Sequence, residues 1–416
     1  MDKLESATHV AAMDYDLIIA GGGVNGQVLA LASASIGLRV LMVDPAKNAD
    51  QVPIDGRAYS LSLSSANIFR VLGLWDVLEP HAQPMLHIKV SEGTAGQGAA
   101  PFVLHFDSAE LEEGPMAYLL EDEYLRPALA EAVSKSDQIT LHDGMTVASF
   151  ETGTNGVTAK LAIGKSVTAS VLVGCDGRSS RVAKLAGISR IGWSYDQIGL
   201  VTTVAHERPH GGEAHQFFTP SGILAVLPLT GDRSSIVWSE DQPRAQTLSE
   251  LPDDAFRTAL QNQMGGYLGR IELAGGRFAY PLGLSLARSF VSDRVVLVGD
   301  AAHGIHPLAG QGLNLGLRDC AALAQVLAEA KRRGQELGSP DVLRRYEIWR
   351  RPDAVALALA TDKLQRIYRK QNPIFSVARN LGMGAVNALP GLRRGFMRQA
   401  AGLQGDPPLL LQGRAI

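Results

Sequence analysis

A glycine-rich turn near the start of the chain restricts the fold more than any other feature. The apolar segment 16–20 is typical of a buried strand, and Gly21-x-Gly23-x-x-Gly26 follows it directly. The pattern after this turn predicts a helix to about Ile36, ended by Gly37, and a second apolar strand over 38–43. Two strands joined through one helix form a βαβ unit, and such a crossover indicates a parallel sheet.

The three glycines of this turn suit a dinucleotide ligand. Gly21 allows the tight turn, Gly23 lets the backbone approach a pyrophosphate, and Gly26 lets helix and strand pack closely. Asp44 ends the second strand 18 residues after Gly26, close to the position of the ribose-binding acid in such units. A glycine-rich packing turn is the alternative, but it does not explain why strand, helix, glycines and acid coincide.

Two later segments repeat the order strand, turn, helix. One is 171–180, with Asp176-Gly177 at its turn, and the other is 295–319, where Gly299-Asp300 precedes a loop rich in proline and glycine. Backbone N–H groups and the positive end of a helix at such a loop favour a planar, electron-rich ligand. Together with the first turn, this loop points to a flavin. Taken alone, Asp176-Gly177 is equally consistent with a simple type I′ turn.

The middle of the chain differs in its pattern from both ends. Segment 198–240 alternates and is rich in Val, Thr, Phe and Trp, which predicts antiparallel strands with one polar face. From about Ser339 the chain is expected to be helical to Ala401, with interruptions at Pro373 and Pro390. The expected units are a discontinuous nucleotide-binding domain (14–90, 115–190 and 280–345), a β-rich domain (91–114 and 191–279) and a helical C-terminal region (346–416).

Composition and short motifs exclude several classes of protein. The chain has 416 residues and a net charge of -3, so a nucleic-acid partner is not expected. Cys175 and Cys320 form no disulfide framework and suit a reducing, cytoplasmic compartment. The charged N-terminus does not resemble a signal peptide, and no apolar run reaches the roughly 20 residues that span a bilayer. His303-x-x-His306 lacks a third ligand nearby, so no metal is expected, and no Gly-x-Ser-x-Gly elbow supports a hydrolase.

Segment 361–400 is basic. It holds eight Lys and Arg residues and one acid, Asp362, with apolar residues interspersed. A basic amphipathic face of this kind favours contact with an anionic membrane or an acidic protein. A solvated helix face is an equally good interpretation of the same pattern.

Several motifs together resemble the ubiquinone-biosynthesis hydroxylases of the UbiH/UbiF type, a branch of the FAD-dependent aromatic hydroxylases. The resemblance covers nearly the whole chain and is most specific over 300–319. It implies that Asp176-Gly177 and Asp300 bind FAD together with the first turn. It also implies that the loop beside the flavin ring includes Pro307, Gly310, Gly312, Leu313 and Asn314. His303 is expected near the flavin as well. Asp44 stands where the wider family often has glutamate, and either carboxylate can accept the ribose hydroxyls.

Two arginines are implied as further cofactor contacts. Arg57 lies in the segment Asp55-Gly56-Arg57-Ala58, which resembles a family motif whose arginine lies by the flavin, and its planar guanidinium suits an oxyanion. A surface salt bridge is the alternative for Arg57. Arg126 matches a second cofactor-facing arginine of the family.

The resemblance implies a fold of the para-hydroxybenzoate-hydroxylase type, α/β with a Rossmann-like FAD domain, a β-rich substrate domain and a helical C-terminus. It implies ring hydroxylation of a polyprenylated phenol through a flavin C4a-hydroperoxide, with O2 as cosubstrate and NAD(P)H or a ferredoxin-type protein as reductant. Phe217, Leu224 and Leu227 are candidates for the pocket lining, or equally for the sheet core. Other ubiquinone-biosynthesis proteins and a second copy of the chain are candidate partners. The alternatives are a hydroxylase of a small soluble aromatic, a flavin-dependent reductase and a mainly structural flavoprotein.

Overall fold

The computed structural model describes residues 13–47, 56–92, 103–219, 222–306, 310–369 and 386–416. The strands in these ranges are β1 (Tyr15–Ala20), β2 (Val40–Asp44), β3 (Ala58–Ser62), β4 (Gln83–Met85), β5 (His87–Glu92), β6 (Val103–Asp107), β7 (Ala117–Glu121), β8 (Ile139–Asp143), β9 (Val147–Thr152), β10 (Val157–Leu161), β11 (Ser166–Gly174), β12 (Arg190–His206), β13 (Glu213–Phe218), β14 (Ile223–Leu229), β15 (Arg233–Asp241), β16 (Ile271–Leu273), β17 (Phe278–Ala287), β18 (Val291–Ser292), β19 (Val295–Leu297) and β20 (His303–Gly304).

The helices surround these strands. They are α1 (Val24–Ser35), α2 (Leu63–Val71), α3 (Trp75–Leu78), α4 (Asp122–Ser134), α5 (Arg181–Leu185), α6 (Gln242–Glu250), α7 (Asp253–Met264), α8 (Gln311–Arg332), α9 (Pro340–Arg369) and α10 (Pro390–Ala400).

The first sheet is the predicted parallel one. Its strands follow the order β18-β19-β11-β1-β2-β8, and β1 pairs in parallel with both β2 and β11. The carboxyl-terminal halves of the central strands β1 and β11 are apolar and buried, as at Leu17, Ile18 and Ile19, because helices cover both faces of a parallel sheet. All three predicted turns follow strands of this sheet, β1, β11 and β19, at their carboxyl ends. Parallel pairing therefore brings the turns to one edge, where open α/β sheets bind their ligands.

The second sheet contains the predicted antiparallel strands. Its order is β20-β17-β12-β15-β14-β13-β5-β6, and β13 with β5 is a parallel pair. One face packs on α6 and α7 through a cluster that includes Trp238 and Phe256. The opposite face lies towards a small sheet of β3, β7 and β4 and the start of α8. The predicted domain boundaries stay a proposal, since strands β5 and β17 of the second sheet cross two of them.

Helix α9 packs beside α8, and both C-terminal helices lie within the segment predicted to be helical. Helix α9 begins next to Ser339, as predicted, and continues through Pro352 to Arg369. Helix α10 begins at Pro390, where a missing N–H is tolerated, whereas Pro373 lies outside the described residues. None of the helices in the described ranges is long and apolar enough to cross a membrane.

Candidate active site

The glycines after β1 leave the start of α1 open. A methyl group on Gly26 would collide with the carbonyl oxygen of Gly21, so close packing of strand and helix requires glycine there. Gly21 itself has a φ of +113°, which disfavours any other residue. Gly23 precedes the first residue of α1. Among the described residues, no side chain caps the helix there and no atom lies within 4 Å of the place its Cβ would occupy. Open space and uncapped N–H groups therefore meet at Gly23, a geometry that suits an anion.

Asp44 lies beside this turn, as predicted. Its Oδ2 accepts a hydrogen bond from the Gly22 N–H at 2.5 Å, and its Oδ1 accepts one from the Ala46 N–H at 2.8 Å. These bonds fix the carboxylate at the end of β2. Each carboxylate oxygen has a further lone pair that a hydroxyl group can use.

The two later turns lie next to each other, linked by Arg178. The Arg178 Nε donates to Oδ2 of Asp300 at 3.3 Å, and its Nη2 donates to the Ile305 carbonyl at 3.0 Å. Asp176 uses Oδ2 to accept from the backbone N–H groups of Arg181 and Val182, while its buried Oδ1 has no partner among the described residues. Gly177 has a φ of +76°. Sequence reasoning did not single out Arg178, because only the fold shows which two turns it joins.

The start of α8 is held against β3. Asn314 donates from Nδ2 to the Ser60 carbonyl at 2.7 Å and accepts at Oδ1 from the Ser62 N–H at 2.9 Å. Gly310 precedes the helix with a φ of +62° and gives it no side-chain cap. Gly312 has open space around its Cβ position, and Leu313 packs against the main core. The uncapped N-terminus of this long helix faces the region between the two sheets. Pro307 lies outside the described residues.

The two predicted arginines differ in their surroundings. Arg57 lies over the ring of Tyr280, with 4.4 Å from its Cζ to the ring centre, and lines a cavity described below. Arg126 forms an ion pair with buried Asp122, which also accepts a hydrogen bond from the Tyr59 hydroxyl at 3.0 Å. Burial, and next the Asp122 charge, raise the pKa of Tyr59 well above its ordinary value. Contact of either arginine with a cofactor stays a prediction.

A cavity of about 270 Å³ lies between the second sheet and the start of α8. Its apolar lining includes Met85, Met116, Ile223, Ala225, Leu227 and Val237. Of the three candidates for the lining or the sheet core, Leu227 lines the cavity, whereas Phe217 and Leu224 belong to the core. Both pack with Trp238 on the opposite face of the sheet, because side chains alternate along a strand.

Of the two loop histidines, His303 and His306, only His306 is among the residues that line this cavity in the described part of the chain. It is only 1% exposed, and neither ring nitrogen hydrogen-bonds to any residue in the described ranges. The Tyr195 ring lies edge-on to it, with 5.1 Å between the ring centres. Burial, reinforced by the Arg178 charge, lowers the pKa of His306 to about 4. The imidazole is therefore neutral near neutral pH, with one donor and one acceptor nitrogen.

This lowered pKa predicts a loss of stability in acid. Between about pH 6.5 and about pH 4 the unfolded chain takes up a proton at His306 that the folded chain does not, so the folded state becomes less stable as the pH falls. The shift corresponds to about 3 kcal/mol. From about pH 6.5 to about pH 4, the unfolding free energy of the parent protein should therefore fall by roughly that amount more than the unfolding free energy of His306→Gln. Urea unfolding measures both. Equal losses in the two proteins would contradict the assignment.

His303 belongs instead to a buried ionic network. Its Nε2 lies 2.5 Å from Oδ2 of fully buried Asp319, whose Oδ1 accepts from Nε of Arg350 at 2.9 Å. Burial alone would raise the pKa of Asp319, but the charges of His303 and Arg350 outweigh it and lower that pKa. Asp319 also accepts from the Gly299 N–H at 3.1 Å, so the network supports the turn that carries Asp300. Among the described residues, no cluster of three or more His, Cys, Asp or Glu suits a metal ion.

These features fit FAD as a ligand. The open space at Gly23 suits a pyrophosphate, and the fixed Asp44 carboxylate suits ribose hydroxyls. The buried Asp176 Oδ1 has no partner in the described ranges and can accept another hydroxyl. The uncapped start of α8 can stabilise negative charge on a flavin ring.

Comparison with known proteins agrees with this geometry. Residues 14–361 match the family described as "FAD binding domain". "Ubiquinone hydroxylase UbiL" of Rhodospirillum rubrum is 40% identical over 96% of this chain and 92% of its own length. "3-demethoxyubiquinol 3-hydroxylase" of Escherichia coli is 32% identical over 93% of this chain and 98% of its own length.

A solved structure supports the fold. The crystal structure of p-nitrophenol 4-monooxygenase PnpA from Pseudomonas putida DLL-E4 aligns with a TM-score of 0.79, at 20% identity, over 94% of this chain and 98% of that one. The chain belongs to the ubiquinone-biosynthesis hydroxylases, a branch of the FAD-binding aromatic monooxygenases.

Proposed function

We propose that this chain hydroxylates the aromatic ring of a polyprenylated phenol in ubiquinone biosynthesis. The observation that carries the proposal is the apolar cavity against the uncapped start of α8. The named activities of the Rhodospirillum rubrum and Escherichia coli relatives support the same reaction. In the overall reaction, one oxygen atom of O2 replaces a ring hydrogen and the other leaves as water. Two electrons come from a reductant, either one NAD(P)H or two molecules of a ferredoxin-type protein. Of the two protons, NAD(P)H brings one within its hydride and the solvent supplies the other, whereas with a ferredoxin-type protein the solvent supplies both.

The three turns are proposed to hold FAD. The pyrophosphate would lie at Gly21, Gly23 and Gly26, and the ribose at Asp44. The ribityl chain would lie at Asp300, near Asp176 and Gly177. The ring would lie at Gly310, Gly312, Leu313 and Asn314, with Pro307, Arg57 and Arg126 as the further predicted contacts. When bound, FAD supplies the activation of O2 and the transfer of one oxygen atom to the ring.

The protein's own residues would orient the ring and exclude water. Ile223, Ala225 and Leu227 project from one strand into the cavity and make one wall apolar. Ser235 and Ser239 also line the cavity, and four residues along a strand span about 13 Å. That length accommodates an aromatic ring and the first part of a tail. Because small-molecule sites span roughly 300–1,000 Å³, a cavity of about 270 Å³ has no room for a long polyprenyl tail, which must extend outside.

Helix α10 offers a path for that tail. Ala400 lines the cavity, Leu392 and Phe396 precede it on the same helix face at spacings of four residues, and Leu389 lies just before the helix. The side chains of Leu389, Leu392 and Phe396 are 55%, 46% and 51% exposed. An apolar stripe therefore leads from the surface to the cavity, where a tail embedded in lipid could enter.

We propose that this face of α10 contacts the membrane, at its cytoplasmic surface. Arg393 and Arg394 follow Leu392 directly, although Arg393 also pairs with Glu110 at 2.9 Å. Such a face should bind anionic lipid through both charge and apolar contact. The double substitution Leu392→Ser and Phe396→Ser should release the protein from phosphatidylglycerol vesicles in a flotation assay. Val77→Ser, which removes an equally exposed apolar side chain from α3, is the matched control. Equal flotation of both variants would contradict the membrane contact.

The proposed reaction is tested with the purified, FAD-loaded protein. Addition of a short-tailed prenylphenol should stimulate the consumption of O2 and reductant and give a product with one more ring hydroxyl. Stimulation by small soluble phenols alone would favour a different aromatic substrate, and reductant consumption without O2 would indicate a reductase.

In a strain without this gene, ubiquinone should fall and a phenol that lacks a ring oxygen should accumulate. Other pathway proteins or a second copy of the chain are proposed partners, detectable by co-purification.

A further inference from the structure

His306 has an environment unlike that of any other histidine near the active site. Strand β20 pairs with β17 through Gly304 and Ser285, and this pairing places His306 between the cavity and Tyr195. The side chain is 1% exposed, and both ring nitrogens lack partners in the described part of the chain. His303, three residues earlier, is also buried, but its Nε2 is bound to Asp319.

A buried imidazole without hydrogen-bond partners destabilises the folded protein unless a ligand supplies the missing hydrogen bond. Leaving a buried polar group without a hydrogen bond destabilises the folded state, and a ligand that supplies the bond gains what the free protein lacks. The charged or titratable neighbours of His306 are Arg178, Asp362 and the hydroxyl of Tyr195. The last two are bound to each other, since the Tyr195 hydroxyl donates to Oδ1 of Asp362 at 3.1 Å. His306 therefore faces the cavity with its hydrogen-bonding capacity unused.

We propose that His306 recognises the ring hydroxyl of the substrate through a hydrogen bond and thereby restricts the site to phenols. This inference rests on the proposed function, because the hydroxyl is that of the phenol to be hydroxylated. The rest of the cavity wall is largely apolar and holds any prenylated ring, whereas a buried nitrogen left without a partner rejects a ring that lacks the hydroxyl. When the phenol hydroxyl donates a hydrogen bond to an imidazole nitrogen of His306, more electron density stays on the phenol ring. Formation of the new C–O bond requires that electron density.

The experiment compares two ligands of the FAD-loaded protein. The probes are 2-geranylphenol and geranylbenzene, which differ only in the hydroxyl group, and their dissociation constants are measured from the change in flavin absorbance. His306→Leu removes the hydrogen-bonding group, whereas His306→Asn and His306→Gln place an amide near the position of one or the other ring nitrogen. Thr202→Val is the matched control, because the Thr202 hydroxyl is equally buried and has no partner in the described ranges, yet does not line the cavity.

The parent protein and Thr202→Val should bind the phenol roughly tenfold to a hundredfold more tightly than the hydrocarbon. His306→Leu should bind both probes about equally, and one of the two amide variants should restore part of the preference. If His306→Leu keeps the full preference, or if the parent protein shows none, the role of His306 is overturned while the proposed reaction stands. If the parent protein binds neither probe, the proposed function fails and this inference fails with it.

Discussion

Gly23→Ala should fold normally and lose most of its affinity for FAD. The backbone at Gly23 has φ -69° and ψ -179°, which alanine adopts without strain, and the added methyl group meets no atom of the described ranges within 4 Å. The methyl group would instead occupy the space proposed for the pyrophosphate, and crowding of this kind costs about 1–3 kcal/mol. FAD affinity should therefore fall by roughly 10- to 100-fold, measured by titration of the apoprotein. The unfolding free energy of the apoprotein should fall by no more than about 1 kcal/mol.

Two further glycine variants separate this effect from loss of the fold. Gly391→Ala adds a methyl group at an exposed position of α10 that has equally open surroundings, and FAD affinity should not change. Gly26→Ala should instead lose folding stability, since its methyl group would collide with the Gly21 carbonyl and disrupt the packing of β1 on α1. If Gly23→Ala binds FAD as tightly as the parent protein, the pyrophosphate does not lie at this turn.

Asp319→Asn should be among the most destabilising single substitutions in the chain. Asp319 is fully buried and accepts hydrogen bonds from Arg350, His303 and the Gly299 N–H. Removing its charge leaves buried Arg350 with the carboxylate of Asp353 alone, at 2.9 Å. Breaking a buried ion pair typically costs about 3–5 kcal/mol. Urea unfolding should show a loss of this size, and FAD should dissociate faster because the turn before Asp300 loses its anchor.

Glu131→Gln is the control for the loss of one carboxylate charge. Glu131 pairs with Lys135 at 2.5 Å across one turn of α4, but both side chains are largely exposed. Exposed pairs contribute little to stability, so the unfolding midpoint should hardly change. An Asp319→Asn protein as stable as Glu131→Gln would show that the network around His303 does not support the fold.

The sequence predicts most of the backbone of the site, because glycines and acids at turns depend on local geometry. Gly21 is required by its φ of +113° and Gly26 by the Gly21 carbonyl, and Asp44 bonds to the turn directly. These features need only the βαβ unit, which the apolar pattern predicts. The parallel sheet then brings the three turns to one edge without further information.

The residues that line the substrate cavity could not be predicted as completely as the backbone turns. Which of Phe217, Leu224 and Leu227 faces the cavity depends on which face of the sheet packs on α6 and α7, and alternation alone does not decide this. His303 and His306 look alike in the sequence, yet one is bound by Asp319 and the other opens to the cavity. The position of Asp319 on α8 beside His303 decides between them, and the sequence pattern does not indicate that contact.

We propose that this chain inserts an oxygen atom from O2 into the ring of a prenylated phenol. To test this, the purified, FAD-loaded protein is supplied with reductant, a short-tailed prenylphenol and oxygen gas enriched in the heavy isotope, and the product is examined by mass spectrometry. We expect one heavy oxygen atom in the new ring hydroxyl and the other in water. A product whose new oxygen comes from the solvent, or reductant oxidation with the phenol unchanged, would contradict this proposal.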